Sequence, residues 1–208
     1  QLTILPVVVL NSHTHFDHIG GNAEFRDVLA MDTDYTRNNI GGYSNELVRE
    51  EISEEAICGS LPSGINSTTY STPSFTVKKY INDGYKIDLG GRILEVLSTP
   101  GHTPDAISLL DINFGLLWVG DIYYEGPIWL FVPETDLDEF YNSVNSLCNI
   151  VPHLRTLYTA HNSPIAQPQS LYALKKALIN IKNGTIAGKA ISGGRIEYFF
   201  QGFSLIIK

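Results

Sequence analysis

Cysteine is scarce. Only Cys58 and Cys148 occur in the 208 residues, ninety positions apart and outside any CxxC or CxH spacing. That excludes a disulfide framework and a thiolate metal knuckle, and leaves both as candidate buried small side chains. Positive charge is short as well: 14 Lys and Arg stand against 22 Asp and Glu, for a formal charge of −8. With no basic stripe to neutralise phosphates, nucleic acid is excluded as a default partner. No apolar run approaches the roughly 18 to 20 residues of a membrane helix, and the segment from Gln1 to Leu10 lacks the charged start of a secretory signal. A soluble protein without a membrane partner, the cytoplasm favoured, is the expectation. Repeats and heptads are absent too. At 43% hydrophobic, the composition fits one ordinary globular domain over residues 1–208.

Apolar, β-branched runs predict strands at Thr3 to Leu10, Val28 to Met31, Thr76 to Ile81, Ile93 to Ser98, Ala106 to Leu110, Leu116 to Val119 and Thr156 to Thr159. Helical periodicity falls between them. Ser44 to Ile57 is charged and amphipathic; Asp136 to Ile150 begins with Thr135 and Asp138 in capping-box spacing. A third helix starts near Pro168 and closes at Gly184. "YKIDLGGRILEV" reads as a hairpin, and the tail as two short strands around Gly202. Together these predict an α/β domain with mixed sheets rather than a strictly alternating parallel fold. Gly59 to Ser74, rich in Gly, Ser, Thr and Pro, is predicted to be a long loop, a lid or a plain connection.

Against this background the stretch "NSHTHFDHIGGN", residues 11–22, is unusual, since it spends three of six histidines within six residues. His13, His15, Asp17 and His18 offer imidazole and carboxylate, the ligand set of zinc and related divalent ions. His13 and His15 are two apart and face the same way in extended chain. Asp17 and His18 are adjacent, free to serve a second metal. Gly20 and Gly21 are expected to supply positive φ or a close backbone approach. Four polar side chains buried in one loop would each need another partner if no metal were present. Three more candidates follow predicted strands: His102 in "TPGHTPD", Asp121 in "VGDIYY" and His161 in "TAHNSP". Strand-end loops are where α/β folds place chemistry. His153 fits no such position and reads as a surface residue.

These motifs, H-x-H-x-D-H followed by Gly-Gly-Asn, then "TPGHTPD", the strand-Gly-Asp step and the strand-Ala-His step, resemble the metallo-β-lactamase-fold hydrolases. The resemblance runs from about Pro6 to the last strands. It implies an αββα four-layer sandwich and two divalent ions, zinc first, with iron and manganese as alternatives. It further implies that His13, His15 and His102 hold one metal, that Asp17, His18 and His161 hold the other, and that Asp121 bridges them. Family members carry more strand before the histidine motif than the roughly ten residues present here, so a domain lacking its N-terminal strands is expected.

Branch-specific differences narrow the chemistry. The flavodiiron branch has Glu where His15 stands, and many true β-lactamases have Cys where Asp121 stands. The pattern is therefore similar to the glyoxalase II, thioesterase and lactonase branches. The expected activity is cleavage of an ester, thioester or lactone of a small molecule by a hydroxide held between the metals. Asp17 is the candidate to orient it or relay its proton. Tyr123 and Tyr124 are candidate oxyanion donors within the aromatic stretch that also holds Trp129 and Phe131. β-Lactam hydrolysis, or a non-catalytic metal-binding module or fragment of the same fold, are the alternatives.

Overall fold

Four consecutive apolar residues, Val28–Met31, are all buried and form strand β2, the middle of a three-stranded sheet. Such an unbroken run is what a parallel strand covered on both faces requires. β1 (Val9–Leu10) pairs with it in parallel, Val9 opposite Val28. β3 (Lys79–Ile81) pairs on its other side, Leu29 opposite Lys79. The computed structural model describes residues 3–53, 56–57 and 59–208, and the chain divides into two units, residues 1–81 and 82–208.

In the first unit, short helices α1 (Phe16–Ile19), α2 (Asp34–Asn39) and α3 (Asn45–Val48) connect β1 and β3 through β2. Ile19, Val28 and Phe75 form a small core. Three sequence expectations are shortened here, among them the strand from Thr76, which reduces to Lys79–Ile81. The strand from Thr3 reduces to Val9–Leu10, because Pro6 lacks an N–H and Ile4 and Leu5 lie exposed. Among the described residues, the amphipathic stretch from Ser44 is helical only over α3 and then turns; Val48 is buried while Leu47 is exposed, so the apolar face is not continuous there. Glu54, Glu55 and Cys58 of this region lie outside the described residues. The segment after Gly59 is a loop, as predicted, touching the rest of this unit through a bridge between Tyr43 and Thr72.

The second unit carries two sheets. Strands β4 (Lys86–Asp88), β5 (Ile93–Ser98), β6 (Ile107–Asp111), β7 (Leu116–Trp118), β9 (Thr156–Tyr158) and β10 (Ile165–Ala166) form the larger, in the order β10-β9-β7-β6-β5-β4. All its pairs are antiparallel except β7 with β9. The smaller sheet has the order β11-β12-β13-β8, from β8 (Gly126–Leu130), β11 (Lys189–Ile191), β12 (Arg195–Phe199) and β13 (Phe203–Ile207). β13 runs parallel to β8 and antiparallel to β12. The mixed α/β class is thus as expected. β8, β10 and β11 were not anticipated as strands.

Helices α4 (Leu137–Cys148) and α5 (Ser170–Lys182) pack with both sheets around one core that includes Leu117, Ile128, Phe140, Leu157, Leu174 and Leu205. Each fully buried side chain of this kind contributes about 1.5–3 kcal/mol. The cap of α4 corrects the sequence reading: Asp136, not Thr135, accepts from the backbone N–H groups of Asp138 and Glu139, both at 2.9 Å. A carboxylate reaches both donors, while the Thr135 hydroxyl is committed to the carbonyl of His102 at 3.3 Å. Helix α5 closes at Gly184 as predicted, its N–H bonded to the Ile181 carbonyl. Cys148 is buried, its thiol donating to the Leu171 carbonyl, and burial pushes its pKa up. His153 is exposed, as expected.

Candidate metal centre

Each unit gathers its own share of the predicted ligands. In the first, the chain leaves β1 at Leu10, runs extended through His15, whose φ and ψ are −65° and 156°, and enters the single turn of α1. The backbone N–H groups of His18 and Ile19 both close on the His15 carbonyl. This turn folds Asp17 and His18 back towards the two preceding histidines. His13 Nε2 lies 3.0 Å from His15 Nδ1, and the His13 and His18 ring centroids are 4.0 Å apart. Asp17 Oδ2 stands 3.4 Å from His18 Nε2. His13 is buried, and Ser12 Oγ sits 3.1 Å from its Nδ1.

The two ends of the loop are tied together. Asn11 Nδ2 donates to the His18 carbonyl at 2.5 Å, and Asn22 Nδ2 donates to Asn11 Oδ1 at 2.8 Å. Tyr43 donates its hydroxyl to the Thr14 carbonyl, and Asn39 donates to the Thr14 hydroxyl. The glycine expectation holds only in part. Neither Gly20 (φ −56°) nor Gly21 (φ −95°) is left-handed. Gly20 does make a close approach, since a Cβ there would stand 3.2 Å from the Tyr70 hydroxyl.

In the second unit, His102 follows Gly101, whose φ is +125° and whose site has no room for a Cβ beside Phe140. The loop is fastened to the start of α4: Asp136 N–H donates to the Gly101 carbonyl and Ser143 Oγ to that of Pro100. His102 Nδ1 meets the Trp129 carbonyl at 3.0 Å. A carbonyl only accepts, so Nδ1 carries the proton and, in the neutral ring, Nε2 presents a lone pair. That Nε2 lies 3.5 Å from Asp121 Oδ2, and His161 Nε2 lies 3.1 Å from the same oxygen. Asp121 is buried in the turn after β7.

His161 is set by its neighbours: Asn162, at φ +60°, donates to the Glu125 carbonyl, and Ser163 donates to the Glu125 carboxylate. Tyr124 places a ring edge-on to His161, centroids 5.1 Å apart, and its hydroxyl oxygen accepts from Trp129 N–H at 3.3 Å. Tyr123 turns into the core against Phe203.

The Nε2 lone pair of His102 and the buried Asp121 carboxylate oxygen that it faces repel each other unless a proton or a cation lies between them. This donor set therefore fits a divalent ion, as does the imidazole and carboxylate grouping of the first unit. Asn11, Ser12 and the Trp129 carbonyl orient the candidate ligands and were not singled out in the sequence, whereas Asn22 stood there only as the end of the Gly-Gly-Asn motif. Asn11 and Asn22, standing on either side of the histidines, were the local signal available.

Residues 6–187 match the model of the family described as the metallo-beta-lactamase superfamily. Among curated proteins, the acyl-coenzyme A thioesterase MBLAC2 of Gallus gallus is 27% identical over 146 residues, 70% of this chain and 52% of its own length. The hydroxyacylglutathione hydrolase GloC of Haemophilus influenzae is 27% identical over 125 residues, 58% of this chain and 51% of its own. The chain thus spans about half the length of these relatives. Among solved structures, TTHA1623 in a di-iron-bound form has a TM-score of 0.55 at 20% identity, covering 81% of this chain and 75% of that one.

Proposed function

Because the chain belongs to the metallo-β-lactamase superfamily, we propose that it is a metal-dependent hydrolase of carbonyl esters, with thioesters as the preferred class and lactones as relatives of the same chemistry. The order of its motifs supports assigning His13, His15 and His102 to one divalent ion and Asp17, His18 and His161 to a second, with Asp121 shared. Zinc is the first candidate. The observation that carries the reading is the orientation of His102, whose proton is spent on the Trp129 carbonyl while its Nε2 and that of His161 address one oxygen of Asp121. Such outer partners fix the tautomer and raise the basicity of a ligating imidazole.

When bound, the ions would polarise the scissile carbonyl and activate water near neutral pH. The chain's own groups supply the rest. The Asp17 carboxylate, partly exposed beside His18, takes the proton of the attacking water. Tyr124, whose ring lies edge-on to His161, is the tyrosine placed to donate its hydroxyl to the developing oxyanion. Tyr123 packs against Phe203, which makes it the weaker of the two tyrosine candidates. One relative named above is an acyl-coenzyme A thioesterase by name, and this supports the preferred class.

The test is elemental analysis of the purified protein together with turnover of an acyl thioester, an aryl ester, a lactone, a phosphodiester and a β-lactam. Thioester or ester cleavage that disappears with the metal is expected. Cleavage of the β-lactam alone would overturn the reading, and metal binding with no turnover of any substrate would make the chain a binding module.

A further inference from the structure

The strand that orients His102 also displays an aromatic and cationic surface that metal binding does not use. On β8 and just beyond it, Trp129 and Phe131 project on the side opposite the core residues Ile128 and Leu130. Their rings are 5.2 Å apart, and Trp129 is 38% exposed. The Arg195 guanidinium lies over the Phe131 ring, 4.5 Å from its centroid. Arg195 begins β12 and is braced by the preceding turn: its Nε donates to the Ser192 carbonyl at 2.9 Å and its Nη2 to the Ser192 hydroxyl at 3.2 Å. Among the described residues, no carboxylate forms an ion pair with it. The result is a held guanidinium with its charge unneutralised, beside a half-open aromatic pair. The backbone carbonyl of the same Trp129 is one hydrogen bond from the His102 ring.

We infer that Trp129, Phe131 and Arg195 form the subsite for the leaving-group arm of the substrate, and that this arm bears a planar base and a phosphate, as in a nucleotide-bearing acyl thioester. The inference rests on the thioester reading above and specifies its substrate. Trp129 and Phe131 offer faces on which a flat heterocycle stacks. Arg195, planar and permanently charged, pairs with phosphate oxygens while its other face stays on Phe131. An acyl chain alone would leave the guanidinium unused. A thiol carrier lacking base and phosphate would leave the guanidinium unpaired.

The experiment compares two thioesters with the same acyl group, one on coenzyme A and one on N-acetylcysteamine, in wild type, R195A, R195K and W129A. The wild type is expected to favour the nucleotide-bearing thioester. R195A is expected to lower the ratio of the two kcat/KM values about tenfold, the effect of losing one charge-assisted contact, with R195K in between and W129A lowering it as well. Because both substrates are read on the same preparation, the ratio does not depend on the fraction folded. An unchanged ratio in R195A and W129A overturns the inference. If the wild type cleaves neither thioester, the reading of function fails by itself, and the subsite is judged by titrating adenosine 3′,5′-bisphosphate against tryptophan fluorescence. Saturable binding weakened about tenfold by R195A upholds the subsite; absence of binding overturns it.

Discussion

A Cβ on Gly101 would overlap the backbone nitrogen and Cα of Phe140 and lie 2.6 Å from its Cβ. The loop that carries His102 is therefore pressed against the first turns of α4, and the contact is backbone to backbone. Ser143 and Asp136 of the same helix add hydrogen bonds to Pro100 and Gly101. A candidate metal ligand at the end of a strand gains its fixed direction from a helix that starts thirty-five residues later.

Gly101→Ala is expected to destabilise the protein by about 3 kcal/mol, combining a left-handed φ of +125° with an overlap that no rotamer relieves. The backbone must move, and His102 moves with it. Urea denaturation measures the first effect, and metal content of the folded fraction the second. Wild-type stability in this variant would contradict the packing described.

His102→Ala and Asp121→Ala are expected to lower metal content and to reduce turnover at least ~100-fold. Loss of activity with metal content intact would assign these residues to another role. Chelation of the wild type should abolish turnover, and added zinc should restore it.

Stability towards acid carries a contribution from Asp27. Its carboxylate accepts from Lys78 Nζ at 2.7 Å, with Arg26 also nearby. The hydrogen bond from Lys78, aided by both positive charges, holds its pKa below the ordinary 3.8. A carboxyl lowered in the folded state stabilises it above the unfolded pKa, and that contribution fades as pH falls through the lower folded value. Asp27→Asn should therefore flatten the dependence of the urea midpoint on pH between about pH 5 and pH 2 and leave the slope above pH 6 alone. Parallel curves for variant and wild type would refute the assignment.

The sequence was legible where local pattern and tertiary role agree. Val28–Met31 and Ile93–Ser98 coincide with their strands because apolar, β-branched runs suit sheet interiors. Strand β8 escaped notice because "GPIWL" opens with Gly and Pro, which read as turn residues. It is tolerated at the edge of its sheet, paired only with β13. The candidate ligands were legible because their residue types are chemically specific. Their orienting partners were not: His102 and Trp129 are 27 residues apart, and the acceptor is a main-chain carbonyl that any residue could provide. The cap of α4 was misplaced by one residue because Thr135 and Asp136 both have capping side chains, and only the tertiary bond to His102 decides between them.

Asn22 gives the sharpest test of the candidate ligands in the first unit. It is buried, and its Nδ2 donates to Asn11 Oδ1, while Asn11 Nδ2 in turn holds the His18 carbonyl. Two amides thus close a loop that carries four candidate ligand side chains. Asn22→Ala removes the donor and leaves the Asn11 oxygen short of one bond, at a cost of about 1–2 kcal/mol. Asn22→Asp keeps the shape but turns the donor into an acceptor facing an acceptor, so it is expected to be worse than Ala despite the smaller change in volume. Both should weaken metal affinity by about 10- to 100-fold, as loss of an orienting partner does. Competition with a chromophoric chelator measures this directly. Should Asp be tolerated better than Ala, the bond from Asn22 to Asn11 would not be what positions His18.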